Sequence, residues 1–365
     1  MIQKDKETVL VGLSGGVDSA VAACLLKEQG YHVIGATMSI WDKGRFVKGV
    51  TYKDACFSPH EEQDIEAAKK ICEALDIPYH VVDCTAAYRQ AVLENFKAEY
   101  VSGRTPNPCV MCNALIKFGA LPRAAKEQGL AFDKFATGHY ARIVYNESMG
   151  RYQLHRAKDA KKDQSYFLYR LTQEQLKNIL FPLGELTKNE VRTLAKSYGL
   201  EVSDKPESQD FYAGSIDDLL DMPPKKGHFV SRDGKILGDH TGVWHFTLGQ
   251  RKGLGISAPR PLYVIELRPE TNEVVLGYVE EGLKSQIALN NMTWLSVPFE
   301  RKDRDVYVKV RSTQTPVRAV FTPKNETEGM ISFFEKQKNP APGQSAVLYD
   351  EDGLVLGGGV IQKAP

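Results

Sequence analysis

Ser14-Gly15-Gly16-Val17-Asp18-Ser19 follows the apolar run Val9-Leu10-Val11-Gly12-Leu13 and leads into a segment with Val17, Val21, Ala22, Leu25 and Leu26 at helical spacing. A strand that ends in a glycine turn and opens a helix holds phosphate with main-chain N–H groups. Gly15 and Gly16 let the main chain approach an anion, Ser14 and Ser19 add hydroxyl donors, and Asp18 supports either magnesium or the loop itself. Gly30 is a natural stop for the helix. The loop lacks the lysine of the Gly-Lys-Ser type. A nucleotide site of this kind points to pyrophosphate release and adenylation rather than γ-phosphate hydrolysis.

Working outward, the pattern predicts strands over residues 8–12, 32–38, 79–83 and 135–138, with helices over 17–29, 61–75, 86–102, 114–127 and 188–198. That alternation gives an α/β fold, a parallel sheet with helices on both faces. Ligands in such folds lie at the carboxyl ends of strands, so Ser14, Met38, Asp83 and Gly138 share one crevice on this reading. The pattern changes around 203–208, and 225–238 and 240–255 are rich in glycine and basic residues. Short strands follow at 291–294, 305–310, 317–321, 329–333, 344–349 and 355–361, which suggests a small β-barrel or sandwich. Three domains result: 1–205 with the phosphate loop, a small central domain at 206–283, and a β domain at 284–365.

The chain has 365 residues, with 47 Lys and Arg against 46 Asp and Glu, a balance that neither favours nor excludes a nucleic-acid partner. No apolar run is long enough to cross a bilayer, and Met1-Ile2-Gln3-Lys4-Asp5-Lys6-Glu7 lacks the apolar stretch of a signal peptide, so the expectation is a cytoplasmic protein without a membrane partner. Cys24, Cys56, Cys72, Cys84, Cys109 and Cys112 all fall in the first third. In a reducing compartment such crowding argues for chemistry or metal rather than structural disulfides. Cys24 and Cys72 read as packing residues. Cys109 and Cys112 stand three apart in Gly103-Arg104-Thr105-Pro106-Asn107-Pro108-Cys109-Val110-Met111-Cys112-Asn113, expected to be a proline-stiffened loop between helices. Such spacing suits a dithiol pair, half a zinc site, or iron–sulfur ligands. Cys56 is the candidate third ligand, and three thiolates would leave one iron of a [4Fe–4S] cluster open to external sulfide.

The phosphate loop resembles that of the adenylating ATP pyrophosphatases. Gly103-Arg104-Thr105-Pro106-Asn107-Pro108, Ala136-Thr137-Gly138-His139-Tyr140, Lys162-Asp163-Gln164-Ser165-Tyr166-Phe167-Leu168 and Gly249-Gln250-Arg251-Lys252-Gly253-Leu254 narrow this. Together they resemble the tRNA-specific 2-thiouridylase (MnmA) family along essentially the whole chain. The resemblance implies a PP-loop ATP pyrophosphatase sheet domain, a small central tRNA-binding domain and a C-terminal β-barrel. It implies ATP and Mg2+ at Gly12, Leu13, Ser14, Gly15, Gly16, Val17, Asp18 and Ser19, with Met38 and Gly138 nearby. Asn107, Pro108 and Cys109 match the segment that touches the target base, and His139, Lys162, Asp163, Gln164, Arg311, Ser312 and Gln344 match tRNA contacts. The implied reaction adenylates the C2 oxygen of the wobble uridine, position 34, and replaces it with sulfur supplied by a donor protein or sulfide. A thiolate or persulfide is the soft nucleophile this needs, and the base must leave the anticodon stack.

Cys112 matches the first catalytic cysteine of the family, and Cys109 sits where many members have Asp. A second, persulfide-bearing cysteine would fall in Lys205-Pro206-Glu207-Ser208-Gln209-Asp210-Phe211-Tyr212, at Tyr212, and tyrosine cannot hold sulfane sulfur. Either Cys109 and Cys112 perform persulfide transfer themselves, or Cys56, Cys109 and Cys112 ligate a [4Fe–4S] cluster. Two other classes compete: a PP-loop adenylating enzyme with a small-molecule acceptor, and a non-enzymatic RNA-binding module. Arg251 and Lys252 are expected to contact phosphate or to form a solvated turn, and Lys309 to share a strand face with Arg311.

Overall fold

The computed structural model describes residues 6–42, 55–200, 210–212, 214 and 216–363. The expected boundary at 205/206 and residues 205–209 of the Tyr212 segment lie outside the described residues. The described chain forms two compact units, one drawn from 1–92, 109–215 and 353–355, the other from 93–108, 216–352 and 356–365.

In the first unit, β1 (Thr8–Gly12) is the central strand, its run Val9-Leu10-Val11 fully buried as in parallel strands covered on both faces. The sheet also contains β2 (His32–Ser39), β4 (Tyr79–Asp83), β5 (Lys134–Thr137) and β8 (Ile179–Leu180), in the order β4-β2-β1-β5-β8. All its neighbours pair in parallel, and Gly12 stands level with Ala36 on one side and Thr137 on the other. Helix α1 (Val17–Glu28) has apolar residues nearly all round. Ala23 and Leu26 pack with Val9, Val11 and Val33, while Val17, Val21 and Cys24 join Val191 and Ala195. Helix α2 (Glu61–Ala74) contributes Ala68 and Cys72 to the sheet core. A short parallel pair joins β3 (Ala55–Phe57) to β9 (Asp210–Tyr212), and β6 (Ala141–Asn146) with β7 (Arg151–Arg156) forms a hairpin.

Two helical segments differ from the sequence pattern. The expected helix 86–102 is α-helical at Thr85–Tyr88, π-helical at Arg89–Leu93 and α-helical again at Glu94–Val101. The expected loop through 109–113 is helical: a helix opens at Pro108–Met111, widens to π geometry over Cys112–Ala120 and closes as Leu121–Glu127. Proline misled the reading, because at a first helical position its missing N–H has no intrahelical partner to lose.

The second unit holds a four-stranded sheet in the order Ile236–His240, Gly227–Ser231, Glu273–Gly277, Tyr263–Arg268. Bulges at Phe229/Val230 and Val264/Glu266 break the alternation that would have revealed it. A six-stranded closed barrel follows, Leu283–Trp294, Gly329–Lys338, Val317–Pro323, Arg304–Lys309, Ser345–Tyr349 and Val355–Ile361. Its inward residues alternate as Val306 and Val308, Ala319 and Phe321, Ile331 and Phe333. The strand ends at Lys309, which is buried, so Lys309 does not share an exposed face with Arg311.

Candidate active site

The turn from β1 into α1 is a cradle of backbone. Gly15 has φ +70°, and a Cβ there would lie 2.8 Å from the Asp64 carbonyl oxygen of α2. Gly138, just after β5, is packed even closer: its Cβ would meet Asp18 C and Ser19 N at 2.7 Å. Both glycines are therefore required by space. Gly16 is the N-cap and no side chain caps α1, so its first N–H groups face an incoming anion. The Ser14 N–H donates to Ser19 Oγ at 3.3 Å, and Ser19 Oγ donates to the Gly16 carbonyl at 3.0 Å. Across the crevice, Thr37 Oγ1 donates to Leu13 O. Glu61 accepts from Ser39 Oγ and from the N–H groups of Ile40 and Trp41, fixing the chain just beyond Met38.

Asp18 is the side chain that the sequence left open between magnesium and loop support. Both its oxygens accept from Lys188 Nζ, at 2.7 and 2.8 Å, and Oδ1 also accepts from the Tyr140 hydroxyl at 2.8 Å. The carboxylate already has a cation in place, so as arranged it does not fit a Mg2+ ligand, and it supports the loop. Lys188 escaped the sequence reading; the Thr187/Glu190 capping box that starts its helix is the signal that marks its position. Tyr140 is held in turn by Gln164: its N–H donates to Gln164 Oε1, and the Gln164 N–H donates to its carbonyl, both at 2.9 Å. Asp163 turns its carboxylate inward to Arg156 and to the N–H groups of Ala157 and Ser165. Lys162 begins this triplet, its N–H donating to Asp159 O.

All six cysteines are free thiols, and Cys24, Cys72 and Cys84 are buried. Cys56 is exposed and stands between buried Ala55 and Phe57, as a strand requires. Phe57 anchors an aromatic group with ring centroids at 4.7 Å to Trp41, 5.4 Å to Tyr88 and 5.8 Å to Tyr212. Burial raises the Tyr88 phenol well above its usual range, and the charges of Cys112, Cys56 and Cys109 raise it further. Burial also pushes the Cys109 thiol up to about 11 and the Cys112 thiol to about 12. Yet Cys109 is exposed and Cys112 half-buried by surface area. The two thiols are thus crowded by protein atoms yet reach solvent, an arrangement we term the cysteine crevice.

Lys117 opposes that rise, lowering both thiols, and it helps burial keep His139 neutral. It lies five residues beyond Cys112 within the π-helical stretch, a spacing that brings them to one face only because the helix is wide. His139 donates or accepts at Thr137 Oγ1 across 2.7 Å and packs against Phe118 and Phe181. Among the described residues, no group of three or more His, Cys, Asp or Glu is placed to hold a metal ion.

The second unit gathers other expected contacts. Gln344 Nε2 donates to Pro106 O at 2.7 Å and Thr105 O at 3.3 Å, beside Asn107 and Pro108. The Thr105 N–H donates to Pro342 O, so the segment 105–108 is moulded on the barrel's 341–344 turn. Arg311, next to Ser312, donates to Asn339 O.

The comparisons with known proteins agree along the length. Residues 7–212 match a family model described as a tRNA methyl transferase HUP domain, 220–278 a tRNA methyl transferase PRC-barrel domain, and 284–361 an aminomethyltransferase beta-barrel domain. The tRNA-specific 2-thiouridylase MnmA of Endomicrobium trichonymphae is 48% identical over 355 residues, covering 97% of this chain and 98% of that protein. Its counterpart in Clostridium botulinum (strain Alaska E43 / Type E3) is 42% identical over 364 residues, 98% of each chain. That of Gloeothece citriformis is 45% identical over 361 residues, 97% of this chain and 99% of the other.

Proposed function

The chain belongs to the tRNA-specific 2-thiouridylase family, and from that premise we propose that it is a tRNA-uridine 2-sulfurtransferase that uses ATP to thiolate the wobble uridine. The C2 oxygen attacks the α-phosphate, pyrophosphate leaves into the Gly12–Ser19 cradle, and a sulfur nucleophile then displaces AMP from C2. Uniform backbone N–H groups suit the pyrophosphate, whose charge grows as it departs. Met38 and Gly138 border this nucleotide site, Asn107, Pro108 and Cys109 receive the base, and His139, Lys162, Asp163, Gln164, Arg311, Ser312 and Gln344 serve the rest of the tRNA.

What carries the reading is that one unit holds both an uncapped glycine cradle and a crevice of thiols. Cys112 lies within electrostatic reach of Cys84, beyond β4, and of Lys117, which also acts on His139 beyond β5. Cys84 and His139 thus follow the carboxyl ends of β4 and β5 as Ser14 follows that of β1. Cys112 is assigned the sulfur nucleophile, with Cys109 as its partner. A sulfane-sulfur donor loads a persulfide on Cys112, whose outer sulfur attacks C2 and displaces AMP. Cys109 then attacks the Cys112 sulfur and breaks its S–S bond, so that the 2-thiouridine leaves and a Cys109–Cys112 disulfide remains for a cellular dithiol to reduce.

Tyr212 stands where the family's second catalytic cysteine falls, and the β3–β9 pairing sets Cys56 on the strand beside it. This favours a second reading, a [4Fe–4S] cluster on Cys56, Cys109 and Cys112: three soft thiols have the donor chemistry, although as placed they form no ready ion site. No step is routed through it.

The test is a thiolation assay on unmodified tRNA with anaerobically purified protein, alongside iron and sulfide analysis. Cys112→Ser is expected to abolish 2-thiouridine while tRNA-dependent pyrophosphate release continues. Retained thiolation would remove Cys112 from the chemistry, and adenylation without tRNA would favour a small-molecule acceptor. Full activity in iron-free protein eliminates the cluster; iron lost on Cys56→Ser establishes it.

A further inference from the structure

In the second unit, residues 249–262 read Gly249-Gln250-Arg251-Lys252-Gly253-Leu254-Gly255-Ile256-Ser257-Ala258-Pro259-Arg260-Pro261-Leu262, with three cations and no acidic residue. Across the whole chain the two signs balance, so the local excess is not a reflection of bulk composition. The loop encloses an open concavity of about 520 Å³. Its shape is set from within. The Thr247 N–H donates to Gln250 Oε1 at 3.1 Å, Gln250 Nε2 donates to Lys252 O at 3.0 Å, and main-chain bonds tie Gly249 and Gln250 to Val264. Gly249, Gly253 and Gly255 have φ of +84°, +77° and +66°, a left-handed backbone that other residues adopt only with strain.

The cations on this fixed loop differ in their company. Arg260 pairs with Glu280 at 2.8 Å and lies over the Tyr278 ring. Elsewhere in the unit Arg268 pairs with Glu266 and Glu273, and Lys226 with Asp239. Arg251 and Lys252 are exposed, and among the described residues neither has a carboxylate partner. At the base of the loop, a Cβ on Gly249 would lie 3.0 Å from Arg311 Nη2, so the loop continues the surface of Arg311.

We propose that the 249–262 loop is an RNA phosphate-binding site in which Arg251 and Lys252 grip the tRNA backbone away from the reacting base. Preorganisation is the physical reason: a loop held by Gln250 and three left-handed glycines gives up little entropy when it binds, and unpaired cations lose no internal salt bridge. Phosphate contacts of this kind carry affinity and register without reading sequence. The site rests on the reading of the chain as a tRNA-modifying enzyme.

The experiment measures binding of unmodified tRNA by the full-length protein across a salt series, for wild type, Arg251→Ala/Lys252→Ala and Arg251→Lys. The double variant is expected to bind roughly tenfold more weakly at low salt. Its slope of log affinity against log salt should become shallower by about 0.7–0.9 for each phosphate no longer neutralised. Arg251→Lys keeps the slope, and ATP binding is unchanged in all three, which shows that the fold survives. An unaltered slope in the double variant overturns the loop site and leaves the enzyme reading standing. Wild-type protein that fails to bind tRNA overturns the enzyme reading itself.

Discussion

The phosphate cradle and the cysteine crevice share one unit but are built on opposite plans. In the cradle every polar side chain is matched: Asp18 with Lys188 and Tyr140, Ser14 with Ser19, Thr37 with Leu13 O. Its shape depends on glycines where a Cβ would strike backbone. In the crevice Cys109 and Cys112 are crowded and discouraged from ionising, with Lys117 lowering both alike. The cradle is finished before its ligand arrives, whereas the crevice holds its reactive atoms in their neutral form until a partner draws them out. Electrostatic preorganisation suits a leaving group with fixed charge; a sulfur nucleophile that must wait for an activated base is better kept protonated.

The comparison breaks first if the cradle tolerates added bulk. Gly138→Ala sets a methyl 2.7 Å from Asp18 C and Ser19 N, both backbone atoms that cannot swing away. Overpacking of that kind costs about 1–3 kcal/mol of fold stability, and the shift it forces on the start of α1 should appear by calorimetry as about tenfold or more weaker ATP binding. Unchanged affinity would mean the start of α1 is not the phosphate site.

Lys188→Met comes next. It leaves Asp18 without its cation in a partly screened position, a loss of about 1–3 kcal/mol. Denaturant unfolding should show it, with ATP-dependent adenylation falling in parallel. Stability lost without any effect on adenylation would confine the pair to a structural role.

The smallest effect sharpens the crevice. Lys117→Met removes the cation that lowers both thiols, so their raised values of about 11 and about 12 should climb further. A thiol alkylates through its thiolate, so the Cys112 rate should rise with pH well beyond 9, and the variant should lag by about threefold at any fixed alkaline pH. Mass spectrometry of iodoacetamide-treated protein reads this out. Equal rates in both proteins would place Lys117 elsewhere.

The same contrast explains what the sequence disclosed. Strands 8–12 and 79–83 and the start of α1 were legible because a buried parallel strand and a helix each leave a local pattern, and the cradle is one contiguous segment. The barrel was legible for the same reason. Cys56, Cys109 and Cys112 were found as residue types, but their neighbourhood depends on non-local pairings such as β3 with β9, which no spacing encodes. Lys188, 170 positions from Asp18, shows the same limit. Pro108 hid a helix because proline ends helices far more often than it starts a long one with reactive side chains on its first turns. The bond from Gln344 to Pro106, across 238 positions, joined two separately suspected segments only once the barrel was formed.

The widened stretch from Cys112 to Ala120 carries a consequence for the chain's tolerance of length changes. A π-helix accommodates a surplus residue; deleting exposed Leu115 would let the segment rewind to ordinary pitch without emptying the core. Each residue of an α-helix advances the chain by about 100°. Cys112 and Lys117 would then stand four positions apart, about 40° round an ordinary helix, so the sulfur and the ammonium would stay on one face while the fold stood intact. A single-codon deletion at this spot is therefore expected to be absorbed by the helix, leaving melting and turnover both close to wild type.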